Sequence, residues 1–252
     1  MKNLPTITET TVQNVMRHST LLTSATMIVL MLTAPASAAL MVTNYTEGSG
    51  MVQRVAAIQP SLTGATMAGA IVSVGQGTSG LTETINWTAT GPTSGGAVGS
   101  MLGWRLSLSG DSGGNPLVLE SLGSNGIDWM EIDLMPKLQI GAFDDTEPSP
   151  GTPGSVGGTD PWTGIDAAAS RSSLGWDIDV AYKDAVTLIG SFPQKDLYRR
   201  MRIDFSRPFV GEDILVFLAD SDGVRPVPEP ATFMLLGIGG LIIGCCLNRR
   251  HR

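Results

Sequence analysis

Four stretches of this sequence alternate apolar and polar residues with a period of two, and that rhythm sets what the chain can fold into. Leu102, Trp104, Leu106 and Leu108 alternate with Gly103, Arg105 and Ser107. Met130, Ile132 and Leu134 alternate with Glu131 and Asp133. Trp176, Ile178, Val180 and Tyr182 alternate with Asp177, Asp179 and Ala181, and Met201, Ile203 and Phe205 with Arg202 and Asp204. Successive side chains of a strand point to opposite faces, so each stretch reads as a half-buried strand. Residues 81–89 (LTETINWTA) alternate more weakly. Residues 214–219 (ILVFLA) are apolar throughout, as in a central strand buried on both faces. Weaker strand candidates are 40–45, 68–74, 117–122, 138–143 and 186–192. Turn clusters rich in Gly, Pro, Ser and Asp lie at 75–80, 91–99, 109–116, 123–126 and 220–223. Only 165–173 reads as a short helix. The expected fold is all-β, an antiparallel, jelly-roll-like β-sandwich of roughly nine to eleven strands. Residues 144–164 are too long for a routine hairpin loop.

The two ends follow different rules. Near the start, Arg17 and His18 precede an apolar stretch at 21–32, and Ala36-Ser37-Ala38 offers an A-x-A cleavage site before Ala39. This is the pattern of a secretory signal, which assigns export through the Sec machinery and makes residues 1–38 a removable leader. Met16 would start a tidier leader than Met1. At the other end, Pro228-Glu229-Pro230 is followed by an uncharged run at 231–247 and then by Arg249, Arg250 and Arg252. At about 1.5 Å per residue the run spans roughly 25 Å of helix, just short of a hydrocarbon core of about 30 Å. It has no polar face, so it reads as a minimal membrane span, and the arginines place the terminus on the cytoplasmic side. The domain plan is therefore a leader at 1–38, a β-sandwich at 39–224 and a tail at 225–252.

This tail resembles the PEP-CTERM sorting signal of Gram-negative bacteria, with its order of Pro-Glu-Pro, short apolar helix and arginine cluster. The resemblance implies recognition by an exosortase, a membrane protease/transpeptidase that cleaves near the Pro-Glu-Pro. It further implies transient tethering to the inner membrane, then delivery to the cell surface or outside the cell. Cys245 and Cys246 depart from the Gly, Ala and Leu usual in such tails, and they read as apolar filler.

Between the ends, residues 39–230 carry 11 Lys+Arg and 22 Asp+Glu. That acidic balance argues against nucleic acid, which demands a basic face. The same segment lacks His and Cys, since His18, His251, Cys245 and Cys246 all lie in the leader or tail. Disulfides and ordinary zinc sites are excluded there, and any metal must take oxygen ligands. Gly110-Asp111-Ser112-Gly113-Gly114 matches the surroundings of a protease serine, but a histidine base is missing, so that triad cannot be built. A Gly/Ser/Asp turn explains the same letters. Asp144, Asp145 and Glu147, Asp160, and Asp220 and Asp222 are candidate calcium ligands in acidic loops, with solvated turn aspartates as the plainer reading. The default expectation is no cofactor, with structural Ca2+ as the exception these loops allow. Trp162, in the long Gly/Pro-rich loop, is the tryptophan placed to touch a ligand.

With no assembled catalytic set, the chain reads as a non-enzymatic exported protein of the cell surface or exopolysaccharide matrix. The alternatives are a carbohydrate-binding or carbohydrate-cleaving β-sandwich module and a periplasmic protein permanently anchored by its tail.

Overall fold

The computed structural model describes residues 41–77, 79–136, 140–145, 177–192 and 194–227, with single positions 152, 153, 155, 158, 164, 170 and 171. Among these, fourteen strands form two sheets. The larger sheet holds β1 (Met41–Ser49), β2 (Gln53–Ser61), β3 (Ile71–Gly75), β4 (Thr82–Asn86), β9 (Ile127–Asp133), β10 (Gly141–Asp144), β11 (Asp177–Leu188), β12 (Leu197–Phe209) and β14 (Ser221–Pro226). The smaller contains β5 (Thr88–Ala89), β6 (Ser94–Gly99), β7 (Trp104–Ser109), β8 (Leu117–Ser121) and β13 (Ile214–Phe217). No helix among the described residues is long and apolar enough to cross a membrane; the run at 231–247, the leader and the 165–173 helix candidate (apart from Ser170 and Arg171) lie outside them.

The strong alternations become β7, β9, β11 and β12, with their apolar residues inward: Trp104, Leu106 and Leu108, Met130 and Ile132, Ile178 and Val180, Met201 and Ile203 are all buried. Together with Trp87, Phe143 and Phe217 they form the main core. Burying such side chains contributes about 1.5–3 kcal/mol each before chain entropy is charged against it.

The larger sheet departs from a simple antiparallel layer in two ways. Its order is β1-β11-β2-β14-β10-β12-β9-β3-β4, and β11 also pairs with β12. Strands β11, β2, β14, β10 and β12 therefore close into a ring. Each contributes one residue to a second, smaller core: Val186, Val55, Val224, Ala142 and Leu197, joined by Met135. In addition, β1 and β2 both run parallel to β11, one after the other. A closed ring removes the exposed edges that an open sheet would present.

Several readings of the sequence are corrected. Residues 214–217 are not a central strand, because β13 stands at the edge of its sheet and pairs only with β8 among named strands. It is buried because the end of the long loop covers it: Arg171 exchanges backbone hydrogen bonds with Ile214 at 2.7 and 2.8 Å, and Leu218 donates to Gly164 at 2.7 Å. The glycine cluster at 91–99 is largely β6, and the Asp-Ser-Asp-Gly stretch at 220–223 mostly opens β14. Residues 53–61, which carry no clean alternation, form β2. β14 also runs to Pro226, two residues past the expected domain end at 224.

Candidate functional site

Aspartates distant in sequence meet where the ring's strands begin and end. Asp144 closes β10, with Asp145 next to it. Asp196 directly precedes β12, and Asp220 and Asp222 flank the first residue of β14. The register brings them together: β10 lies between β14 and β12, with Phe143 opposite both Ser221 and Tyr198, Ala142 opposite Asp222 and Asp144 opposite Leu197. Backbone bonds fasten the corner, Asp144 N–H to Asp220 O at 2.9 Å and Asp145 N–H to Asp196 O at 2.7 Å. All five side chains are buried, with exposures from 1% for Asp196 to 5% for Asp145.

The long loop supplies donors to this corner. Ser155 Oγ–H donates to Asp144 Oδ2 at 2.5 Å. Thr152 donates its hydroxyl to Asp196 Oδ1 at 2.8 Å and its backbone N–H to Asp196 Oδ2. Gly158 N–H donates to Asp220 Oδ2 at 3.1 Å. A loop of small residues suits this work, since it brings N–H and O–H groups close to carboxylates without bulk.

From the other side comes the Gly110–Gly114 turn. Ser112 is fully buried; its hydroxyl donates to Ser221 O at 3.0 Å and accepts from Ser221 N–H at 3.1 Å. Gly113 packs so close that an added Cβ would stand 3.1 Å from Asp220 Oδ1. The residues that mimic a protease motif thus tie the start of β14 in place.

The electrostatics of the corner are unfavourable for bare carboxylates. Burial pushes Asp144 up to about 7, against the opposing Ser155 hydrogen bond, and the fields of Asp222, Asp220 and Asp196 add to the rise. Burial likewise raises Asp222 to about 6, again opposed by Ser155 and reinforced by Asp220 and Asp196. Among the described residues, no Lys or Arg pairs with Asp144, Asp196 or Asp222. Elsewhere the carboxylates do have cationic partners, as in Arg199–Asp133 and Arg202–Asp204, at 2.5 and 2.6 Å.

Asp144, Asp145, Asp220 and Asp222 are therefore brought together, in strands (Asp144 and Asp222) or directly beside them (Asp145 and Asp220). Asp196 was not singled out in the sequence, where it follows Lys195 with no neighbouring acid to mark it; only the β10–β12 register reveals it. Glu147, Asp160 and Trp162 lie outside the described residues. So do Ala36, Ala38 and Ala39, the Pro228-Glu229-Pro230 motif, and Arg249, Arg250 and Arg252.

Of the remaining tryptophans, Trp87 and Trp104 are buried, and Trp129 holds the Arg202 guanidinium 4.3 Å from its ring centre. A cleft of about 460 Å³ opens along the smaller sheet, bordered by Asn86, Thr88, Arg105, Ser107 and Glu120 and by no aromatic side chain.

A family model of the PEP-CTERM protein-sorting motif matches residues 226–252. No curated protein and no solved structure matches the chain. The match begins at Pro226, the last residue of β14.

Proposed function

We propose, from the premise that the chain ends in a PEP-CTERM sorting signal, that it is an exported protein of the cell surface or exopolysaccharide matrix, released from its membrane tether by an exosortase. The observation that carries this reading is the motif at residues 226–252, directly after β14. Only residues 227–230 separate the last strand from the uncharged run that begins at Ala231. Four extended residues reach at most about 14 Å. While the tail is intact, the folded part is held against the bilayer and the Pro-Glu-Pro sits in the narrow gap between them. A cut there leaves the whole of β14 with the released part.

The delivered part acts by binding and by presence rather than by chemistry. In support, residues 39–230 contain neither His nor Cys. Their acidic balance suits a hydrated polysaccharide surroundings and divalent cations better than a polyanionic partner.

Mass spectrometry of the protein recovered from the cell surface tests the reading: the C-terminal peptide ends near residues 228–230. An intact peptide through Arg252 would overturn exosortase release and leave a permanently anchored protein. Replacing Pro228, Glu229 and Pro230 by alanine should hold the protein in the inner-membrane fraction.

A further inference from the structure

We propose that Asp144, Asp196, Asp220 and Asp222 form a calcium site, with Thr152, Ser155 and Gly158 lying against it. A cluster of acids alone would not establish this, and the decisive observation is a single atom. Asp222 is 2% exposed, and its Oδ2 is buried with no hydrogen-bond partner, because the nearby Ser155 hydroxyl that favours its charged form is given to Asp144 Oδ2. A buried carboxylate oxygen left without a donor is costly, and native structures resolve it with water, a proton or a cation. Here the other acids point the same way: Asp144, Asp196 and Asp220 already draw O–H and N–H donors from Ser155, Thr152 and Gly158.

The donor set selects the ion. All candidate ligands are hard oxygens, from carboxylates, loop hydroxyls and backbone carbonyls, and residues 39–230 contain no cysteine thiolate or imidazole to compete with them. They come from the end of β10, the start of β14, the residues just before β12 and β14, and Thr152 and Ser155, which fits the variable geometry of Ca2+ better than the strict octahedron of Mg2+. Among the described residues no three His, Cys, Asp or Glu side chains stand as a ready-made metal shell. Binding therefore requires Asp144 and Asp220 to turn from their loop donors toward the ion, while Asp222 Oδ2 supplies an oxygen that gives up nothing. The site lies wholly on the folded side of Pro226, so it is independent of whether the tail is cut.

The test uses the full chain in detergent, stripped with EGTA and titrated with calcium chloride by calorimetry, with melting followed in parallel. An affinity in the range of extracellular calcium modules, about 10⁻⁴–10⁻³ M, gives a rise in Tm of about 5 °C at 10 mM calcium. Asp222→Asn and, separately, Asp144→Asn keep the shape and remove a charge. Each should weaken calcium binding by about tenfold or more while leaving the calcium-free Tm no lower than that of the parent, a combination a merely structural aspartate would not give. Glu212→Gln, at an exposed turn, should bind as the parent does. No binding by the parent at millimolar calcium, undiminished binding by the variants that fold, or an equal shift with magnesium chloride overturns the proposal.

Discussion

Glu83 shows what one carboxylate does for this fold. It lies on β4 and accepts three hydrogen bonds from the turn that enters β7: Met101 N–H at 3.0 Å, Leu102 N–H at 2.9 Å and Trp104 Nε1–H at 3.0 Å. Burial raises its pKa, but the backbone donors of Met101 and Leu102 and the Trp104 side chain outweigh burial and hold it below the ordinary glutamate value. Because the folded form is the stronger acid, the stability it confers is complete above the unfolded value and lost as pH falls through the lower folded one. Glu83→Gln should therefore lose stability near neutrality and flatten the acid limb of the stability profile below about pH 4.3, as urea melts across that range will show. Glu83→Ala leaves three donors without an acceptor, two of them on buried residues, and should cost about 2–4 kcal/mol in the same experiment. The alternation at 81–89 placed Glu83 near the end of a strand, but its partners are some 20 positions away and could not be read from the sequence.

At the scale of the element, β6 and β14 are informative because each looks like a turn. Strand-averse glycines fill β6, yet close approach requires them. A Cβ on Gly95 would meet Gly64 O at 2.0 Å and Trp87 Nε1 at 2.3 Å, while Trp87 Nε1–H donates to Gly64 O at 2.7 Å. Gly95→Ala must push apart the backbone and the indole together. The expected loss is about 2–3 kcal/mol or more, seen as a Tm lower by roughly 5 °C or more in a thermal melt. In β14, Asp-Ser-Asp-Gly opens a strand whose side chains lie buried, the reverse of the exposure that composition implies. The proposed calcium site would give a physical reason: buried aspartates become tolerable in a strand once an ion balances them.

For the molecule as a whole, ring closure sets where the chain can be cut. β14 joins β2 to β10, and its register with β2 extends from Asp222 opposite Ser61 to Pro226 opposite Val55. Without it the ring opens, and Val55 and Ala142 lose Val224 from their shared core. A chain stopped after Asp220 should therefore fail to reach a protease-resistant state, whereas one stopped after Val227 should resist limited proteolysis as the parent does. Equal resistance of the two would show that β14 is dispensable. The sorting motif thus overlaps the ring by one residue, Pro226, and its Pro228-Glu229-Pro230 lies beyond β14 in the sequence.

The sequence by itself determined the β class, the inward residues of the strongest strands and the nature of the tail. These are local properties: a period of two, a punctuation of Gly and Pro, and an apolar run between prolines and arginines need no distant partner to be read. Tertiary structure alone decided the closed ring, the edge position of β13 and the recruitment of Asp196 to Asp144, Asp220 and Asp222. Each of these depends on which strands lie side by side; a strand's own pattern fixes which face is buried, but which strand becomes its neighbour is settled by long-range packing.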